Sequence, residues 1–207
     1  MTPFVSGRLA LLVWALIALV RGAAAAEFDV ASPTATIATL QRGLLELSQQ
    51  RPKATIDERY VALKPLIEAT HDLPYIAEFA LRRQWPTLSE ADRARFVAAF
   101  EKLSISTYAA RFVSVGPATF RPVVAGAAPA LDRATVTTAV ARAEGSDVPL
   151  EYLLQQQDGG WKIINVVADG VSDLALKRAE YQRLLAGGSI DTLIVELEAQ
   201  TQRLRAR

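Results

Sequence analysis

Apolar positions recur at helical spacing through most of the chain and switch to short alternating runs in one central stretch, so the pattern divides into helices, strands, helices. Ser32 and Pro33 open a helical stretch in which Ile37, Leu40, Leu44, Leu45 and Leu47 repeat, and it stops before Pro52. Residues 55–71 read as a second helix with Tyr60, Leu63, Leu66 and Ile67 on one side and Pro65 bending it. A short helix follows over residues 74–81. The clearest helix covers residues 89–112: Ser89 with Asp92 three residues on is a variant of the capping box, and Phe96, Phe100, Leu103, Tyr108 and Phe112 follow as a stripe.

From Gly116 the runs shorten and Pro, Gly and Asp separate them. Residues 119–124, 134–143, 148–156 and 160–168 are predicted as a four-stranded antiparallel meander, with Asp158 to Gly160 as the last hairpin. Ser172 then caps a helix through Leu185, Gly187 and Gly188 end it, and Ser189 starts a final helix carrying Ile190, Leu193, Ile194, Leu197 and Leu204. The expected architecture is α+β: a curved four-stranded antiparallel sheet wrapped by about six helices.

The fourth strand does not fit a sheet with one wet face. Trp161, Ile163 and Val167 point one way with Asn165, while Ile164, Val166 and Ala168 point the other with only Lys162 to meet water. Either a helix covers the second face or the extra apolar surface lines a pocket, and periodicity fits both. The stripe from Phe96 to Phe112 has the same two readings, core packing or one wall of a cavity.

At the N-terminus an apolar run, LALLVWALIALV, follows Arg8 and precedes AAAA, the small residues a signal peptidase reads. It is too short to cross a bilayer core, which takes about 20 apolar residues. The expectation is an exported chain cut after Ala26, with residues 27–207 as one domain. The whole chain carries 23 Lys+Arg and 22 Asp+Glu; the segment 1–26 holds Arg8, Arg21 and no acid, so the mature balance is 21 to 22. Such a surface carries no electrostatic footprint for nucleic acid. Cysteine is absent, which excludes disulfides and thiolate chemistry.

Reactive groups are few. His71 is the single histidine, and it sits at an expected helix end where a polar ring near terminal carbonyls needs no catalytic explanation. Asp169 and Asp173 flank a strand-to-helix turn. A small-molecule enzyme of the ketosteroid-isomerase kind would need a buried carboxylate, and Asp169 is the one candidate near a strand end. A third reading is an adaptor with no cavity. No phosphate-binding glycine loop or nucleophile elbow is present.

Four segments carry a family likeness: LPYIAEFALRRQW, SEADRARFVAAFEKLSISTYAARF, DGGWKIINVVADGVSDL and GGSIDTLIVEL. In order and spacing they resemble the MlaC-type, or toluene-tolerance, family of periplasmic phospholipid-binding proteins. Trp85, Phe96, Phe100, Thr107, Tyr108, Trp161, Lys162, Gly170, Val171 and Ser172 stand at matching places. The resemblance implies a non-catalytic carrier without metal or cofactor. Its cargo would be a phospholipid held by its acyl chains between sheet and helices, and its partners an inner-membrane ABC transporter complex and an outer-membrane lipoprotein complex. It implies lipid contacts from Phe96, Phe100, Leu103, Tyr108, Phe112, Val136, Tyr152, Leu154, Ile163, Val166 and Val171. Two departures stand out. Asp169 replaces the usual Glu, and SDLALKRAEY is similar to the hopanoid-associated branch, HpnM, which implies a hopanoid as the alternative cargo.

Overall fold

The computed structural model describes residues 28–206 apart from 114, 117, 129 and 143. The expected leader therefore lies outside the described residues. Each helix begins where the sequence supplies an oxygen for its orphan amides. Ser32 accepts from Ala35 N at the start of α1 (Pro33–Gln50), and Thr55 and Glu58 close a capping box on α2 (Ile56–Thr70). Asp72 caps α3 (Leu73–Leu81), and Ser89 caps α4 (Glu90–Arg111). Ser172 and Ser189 cap α5 (Asp173–Ala186) and α6 (Ile190–Arg205). Pro65 lies inside α2 without ending it.

Helices α4 and α6 pack along each other, α2 and α3 lie against α4, and α3 rests on α5. Helix α1 bridges from α2 to the sheet. Arg59 is fully buried and ties the turn between α1 and α2, donating to the carbonyls of Ala54, Arg51 and Pro52 at 3.1, 3.1 and 3.2 Å. Arg51 O also accepts from Ala54 N at 3.1 Å, so the guanidinium reinforces a turn that the backbone already closes.

Among the described residues the sheet has five antiparallel strands in sequence order: β1 (Val124–Ala125), β2 (Arg133–Val140), β3 (Val148–Gln157), β4 (Gly160–Ala168) and β5 (Val171–Ser172). Two differences from the expected meander have local causes. The strand expected over residues 119–124 is reduced to β1, which begins only at Val124. Arg121 N reaches Ala139 O and Ala141 N reaches Thr119 O, each at 2.8 Å, but Pro122 has no amide to continue the ladder. Pairing resumes only at Val124, one residue out of register with the Phe120 to Val140 bridge. The segment after β4 is a further hairpin in place of a simple turn into a helix. Asp169 and Gly170 take φ of 52° and 76°, the positive pair that a tight hairpin turn requires, and β5 folds back on Val167 and Ala168.

The puzzle of the fourth strand is resolved by a bulge. Leu153 pairs with Asn165 and Leu154 with Ile163, which leaves Ile164 as an extra residue. Side-chain parity therefore reverses across it: Trp161 and Ile163 share a face with Val166 and Ala168, opposite Gln156, Leu154, Tyr152 and Leu150. Both Ile163 and Ile164 are buried. Lys162 is not the residue that wets a face. Its ammonium donates to Glu68 O and Ala69 O at 2.8 and 2.6 Å, closing the C-terminal end of α2, a place where a cation also meets the negative end of the helix dipole.

Candidate functional site

The start of β4 is fixed by the chain's own N-terminal segment. Trp161 N donates to Val30 O at 2.8 Å, and Thr36 Oγ1 donates to Trp161 O at 3.1 Å. Gly160, at φ 117°, must be glycine here, because a Cβ would lie 2.6 Å from Val30 O. This clamp places the Trp161 side chain in the wall of a cavity of ≈ 520 Å³, lined by Pro33, Ala128, Ala130, Leu131, Arg133, Ala134 and Trp161. The volume is open to solvent, since Ala128, Ala130 and Leu131 of its lining are exposed. Arg133 is the one charged residue among these lining residues. The outer rim belongs to the apolar run VAGAAPAL, residues 124–131, whose described members are all exposed, Leu131 completely so.

From this cavity an apolar face continues into the protein. Ala134 stands opposite Leu154, which pairs with Ile163, and Val136 stands opposite Tyr152, which pairs with Val166. Val136, Tyr152, Leu154 and Ile163 are brought together on this one face and are buried by packing, so the open volume begins one residue pair beyond them. Val166 shares the face and is partly buried. Val171 is half exposed and pairs with Ala168, the far end of β4. Seven residues of strand, roughly 23 Å, separate it from Trp161.

The aromatic stripe of α4 divides between two neighbourhoods. Phe96 packs on Phe100 (6.2 Å between centroids) and edge-on against Tyr181 of α5 (5.9 Å). Leu103 is buried in the same core. Tyr108, three turns further and roughly 18 Å along the axis, stacks on Phe112 at 5.6 Å, and Phe112 meets Phe120 at 6.0 Å. All five residues belong to or pack against one hydrophobic core. None of these residues is among those lining the 520 Å³ cavity. The signal for that cavity was the dipeptide Gly160-Trp161 and the apolar loop before β2, neither of which helical or strand periodicity picks out.

His71 has a different role from the one its sequence position suggested. Lys162 serves the α2 carbonyls, and the His71 ring turns inward. Its Nε2 lies 2.9 Å from the Tyr108 hydroxyl and its Nδ1 3.0 Å from Thr70 Oγ1. Thr70 already donates its only hydroxyl proton to Leu66 O at 2.8 Å, so it must accept from Nδ1–H, which assigns Nε2 as the acceptor for Tyr108 O–H. Burial pushes the imidazole down to about 4; the nearby Lys162 ammonium acts in the same direction, while the backbone hydrogen bond to Ile67 and the Asp173 carboxylate oppose it. The same burial raises the Tyr108 and Tyr152 hydroxyls. Thr70, His71 and Tyr108 are mutually satisfied, an arrangement that holds the end of α2 to α4.

Asp169 does not supply a general base. Its side chain is 70% exposed on the hairpin turn, with Arg142 Nη2 at 4.0 Å, whereas a carboxylate with a raised pKa needs an apolar enclosure. Among the described residues no cluster of three or more His, Cys, Asp or Glu could hold a metal ion. A second cavity of ≈ 410 Å³ lies between the 3-10 turn Trp85–Thr87, α5 and α6, lined by polar and apolar residues including Arg83, Gln84, Gln182 and Ser189.

The MlaC protein family matches residues 38–199, well over half of the chain. The chain belongs to the MlaC family. Among curated proteins none matches its sequence. Among solved structures, the MlaC-family chain is similar to the phospholipid-binding protein from Ralstonia solanacearum, determined in complex with a phospholipid. The two share 19% identity over 84% of this chain and 99% of that one, with a TM-score of 0.71. At that identity the likeness shows a shared fold: among the described residues, six α-helices around a curved, unclosed antiparallel sheet. No helix among the described residues is long and apolar enough to cross a membrane.

Proposed function

We propose that this protein is a non-catalytic periplasmic lipid carrier that takes up phospholipid by its acyl chains at the Trp161 cavity. The observation that carries the reading is an apolar cavity opening at the end of a continuous apolar sheet face, in a chain of the MlaC family. The phospholipid bound by the similar Ralstonia protein supports the choice of cargo. On this reading the chains enter past Leu131, Pro33 and Trp161 and extend along the face of Ala134, Leu154, Ile163 and Val166 as helices and sheet part. Val136 and Tyr152 lie further in, and Tyr108 and Phe112 close the inner end.

The physical need is large. Exposing each methylene costs about 0.8 kcal/mol, so two chains of about thirty methylenes would cost on the order of 24 kcal/mol in water. Enclosure alone meets that need and calls for no reactive group. Export behind a cleaved leader (1–26), a single working domain (27–207) and brief docking at an inner-membrane ABC transporter complex and an outer-membrane lipoprotein complex belong to the same proposal. A hopanoid, raised by the SDLALKRAEY segment, is the alternative cargo.

The test is extraction and mass spectrometry of lipid from protein purified from the periplasm, with uptake from phospholipid vesicles measured beside it. Co-purified phospholipid and a load reduced at least tenfold by Trp161→Asp, with unchanged far-UV circular dichroism, are expected. Preparations that never carry lipid and take none from vesicles would refute the carrier, and a polycyclic lipid as the main extract would replace the cargo.

A further inference from the structure

Helix α3 turns its two sides to different surroundings. Ile76, Ala77 and Ala80 enter the core, whereas Tyr75, Phe79 and Arg82, at i, i+4 and i+7, form a stripe along the outer side. Tyr75 stacks on Phe79 at 5.8 Å between centroids, with 19° between the ring planes. Arg82 lies over the Phe79 ring at 5.1 Å, and Arg178 reaches the same ring from α5 at 5.5 Å. At the other end Arg133 of β2 lies over Tyr75 at 5.7 Å. Because side chains alternate along a strand, Arg133 leaves β2 on the face opposite Ala134, away from the wall that carries Trp161. Arg133, Arg82 and Arg178 thus join Tyr75 and Phe79 in one row that runs from β2 past α3 to α5.

Charge along this row is unbalanced. Elsewhere the surface pairs its charges: Arg95 with Asp92 and Asp191, Arg121 with Asp147, Lys177 with Asp173, Arg203 with Glu196 and Arg205 with Asp57. Among the described residues Arg82 and Arg178 have no carboxylate in ion-pair range, and Arg178 Nε is closed off from solvent without a hydrogen bond. Arg133 has the Asp132 carboxylate, whose nearest oxygen is 3.9 Å from Nε and too far for a hydrogen bond. A guanidinium laid flat on a ring keeps its N–H edge free, and that edge fits a carboxylate in two parallel charge-assisted bonds. Spacings of 5.7, 5.8 and 5.1 Å put Arg133 and Arg82 at most about 17 Å apart. Roughly five residues of extended chain, at about 3.3 Å each, span that length. The half-buried rings between the cations offer an apolar floor. Glu78 and Asp132 stand exposed beside the row, so a continuous anionic surface would meet carboxylates as well as arginines, while a chain with spaced acids avoids them.

We propose that the row formed by Arg133, Tyr75, Phe79, Arg82 and Arg178 docks an extended acidic segment of a partner protein. One carboxylate is gripped by Arg133 and another, about five residues along, by Arg82 and Arg178, with apolar side chains between them resting on Tyr75 and Phe79. The surface needs no cargo, and the failure of the carrier reading would leave it standing.

The experiment measures fluorescence anisotropy of a fluorescein-labelled peptide with two glutamates about five residues apart and leucines between them, beside the same peptide with glutamines in their place. The proteins are the unmodified chain, Arg82→Gln, Arg178→Gln and, past the far end of β2, Arg142→Gln as the control. The glutamate peptide is expected to bind the unmodified protein and Arg142→Gln alike, and to weaken as salt is raised. The glutamine peptide, and the glutamate peptide on either row variant, should bind about tenfold more weakly. Arg82 is exposed, so Arg82→Gln keeps the fold, which circular dichroism verifies. Equal binding of the two peptides, binding unchanged in Arg82→Gln and Arg178→Gln, or no binding to the unmodified protein would overturn the proposal. Displacement of the peptide by an equal concentration of inorganic phosphate would overturn it in favour of a small-anion site. Sedimentation with phosphatidylglycerol vesicles that is lost in Arg82→Gln would overturn it in favour of a membrane surface.

Discussion

Acidification from pH 7.5 to 5.5 should destabilise this protein through one side chain. His71 is the only histidine, so nothing else in the usual histidine range titrates in that interval apart from the terminal amine. In the unfolded chain its pKa is about 6.5, and in the fold burial holds it down to about 4. The folded state therefore stays neutral while the unfolded state gains a proton, so stability is complete above about pH 6.5 and falls as pH drops toward 4. Linkage puts the loss at about 1.4 kcal/mol between pH 7.5 and 5.5, and at about 2.5 kcal/mol by pH 4.5. With a urea slope of about 1.5–3 kcal/mol/M, the midpoint should move down by about 0.5–1 M at pH 5.5.

Urea titrations followed by tryptophan emission and far-UV circular dichroism measure this directly, with His71→Gln as the comparison. Glu101, raised by burial, titrates in both proteins and cancels. The variant should be about 1–3 kcal/mol less stable at pH 7.5, because the Tyr108 hydroxyl loses its acceptor, yet nearly flat down to pH 5.5. A protein whose midpoint does not move, or a variant whose midpoint falls equally, would refute the assignment of a buried neutral imidazole.

Three further outcomes follow from the geometry around β4. Ile164→Ala should cost about 2–4 kcal/mol in thermal or urea unfolding, as expected of a fully packed isoleucine; a cost below about 0.5 kcal/mol would mean the bulge leaves it solvated. Gly160→Ala should cost at least about 2 kcal/mol, since the positive φ is strained for alanine and its Cβ would meet Val30 O; hydrogen exchange should report the loss of protection at Trp161 N–H. Lys162→Met leaves Glu68 O and Ala69 O without their donor and should cost about 1.5–3 kcal/mol, with faster exchange confined at first to the C-terminal turn of α2, and unchanged exchange there would argue against the cap.

The sequence by itself determined the helices, because capping residues and apolar repeats are local. Ser32, Thr55, Ser89, Ser172 and Ser189 each mark a helix start that the structure keeps within a residue or two. It also determined the family, through the order of four segments, and the central antiparallel hairpins, through their turns. What it could not determine is the direction of side chains past Ile164: a single inserted residue reverses the period of two, and only the register against Leu153 and Leu154 reveals the insertion. The same holds for Lys162, which reads as a solvated strand position and ends on the carbonyls of a helix ninety-odd residues earlier. Residues such as Phe96 and Tyr108 share a helical stripe yet meet different partners, Tyr181 and His71, since a stripe fixes which side of a helix is buried and not what is buried against it. The cavity at Trp161 and Arg133 is the product of three distant segments meeting, α1, the loop before β2 and the start of β4, and tertiary packing alone decided that they meet there.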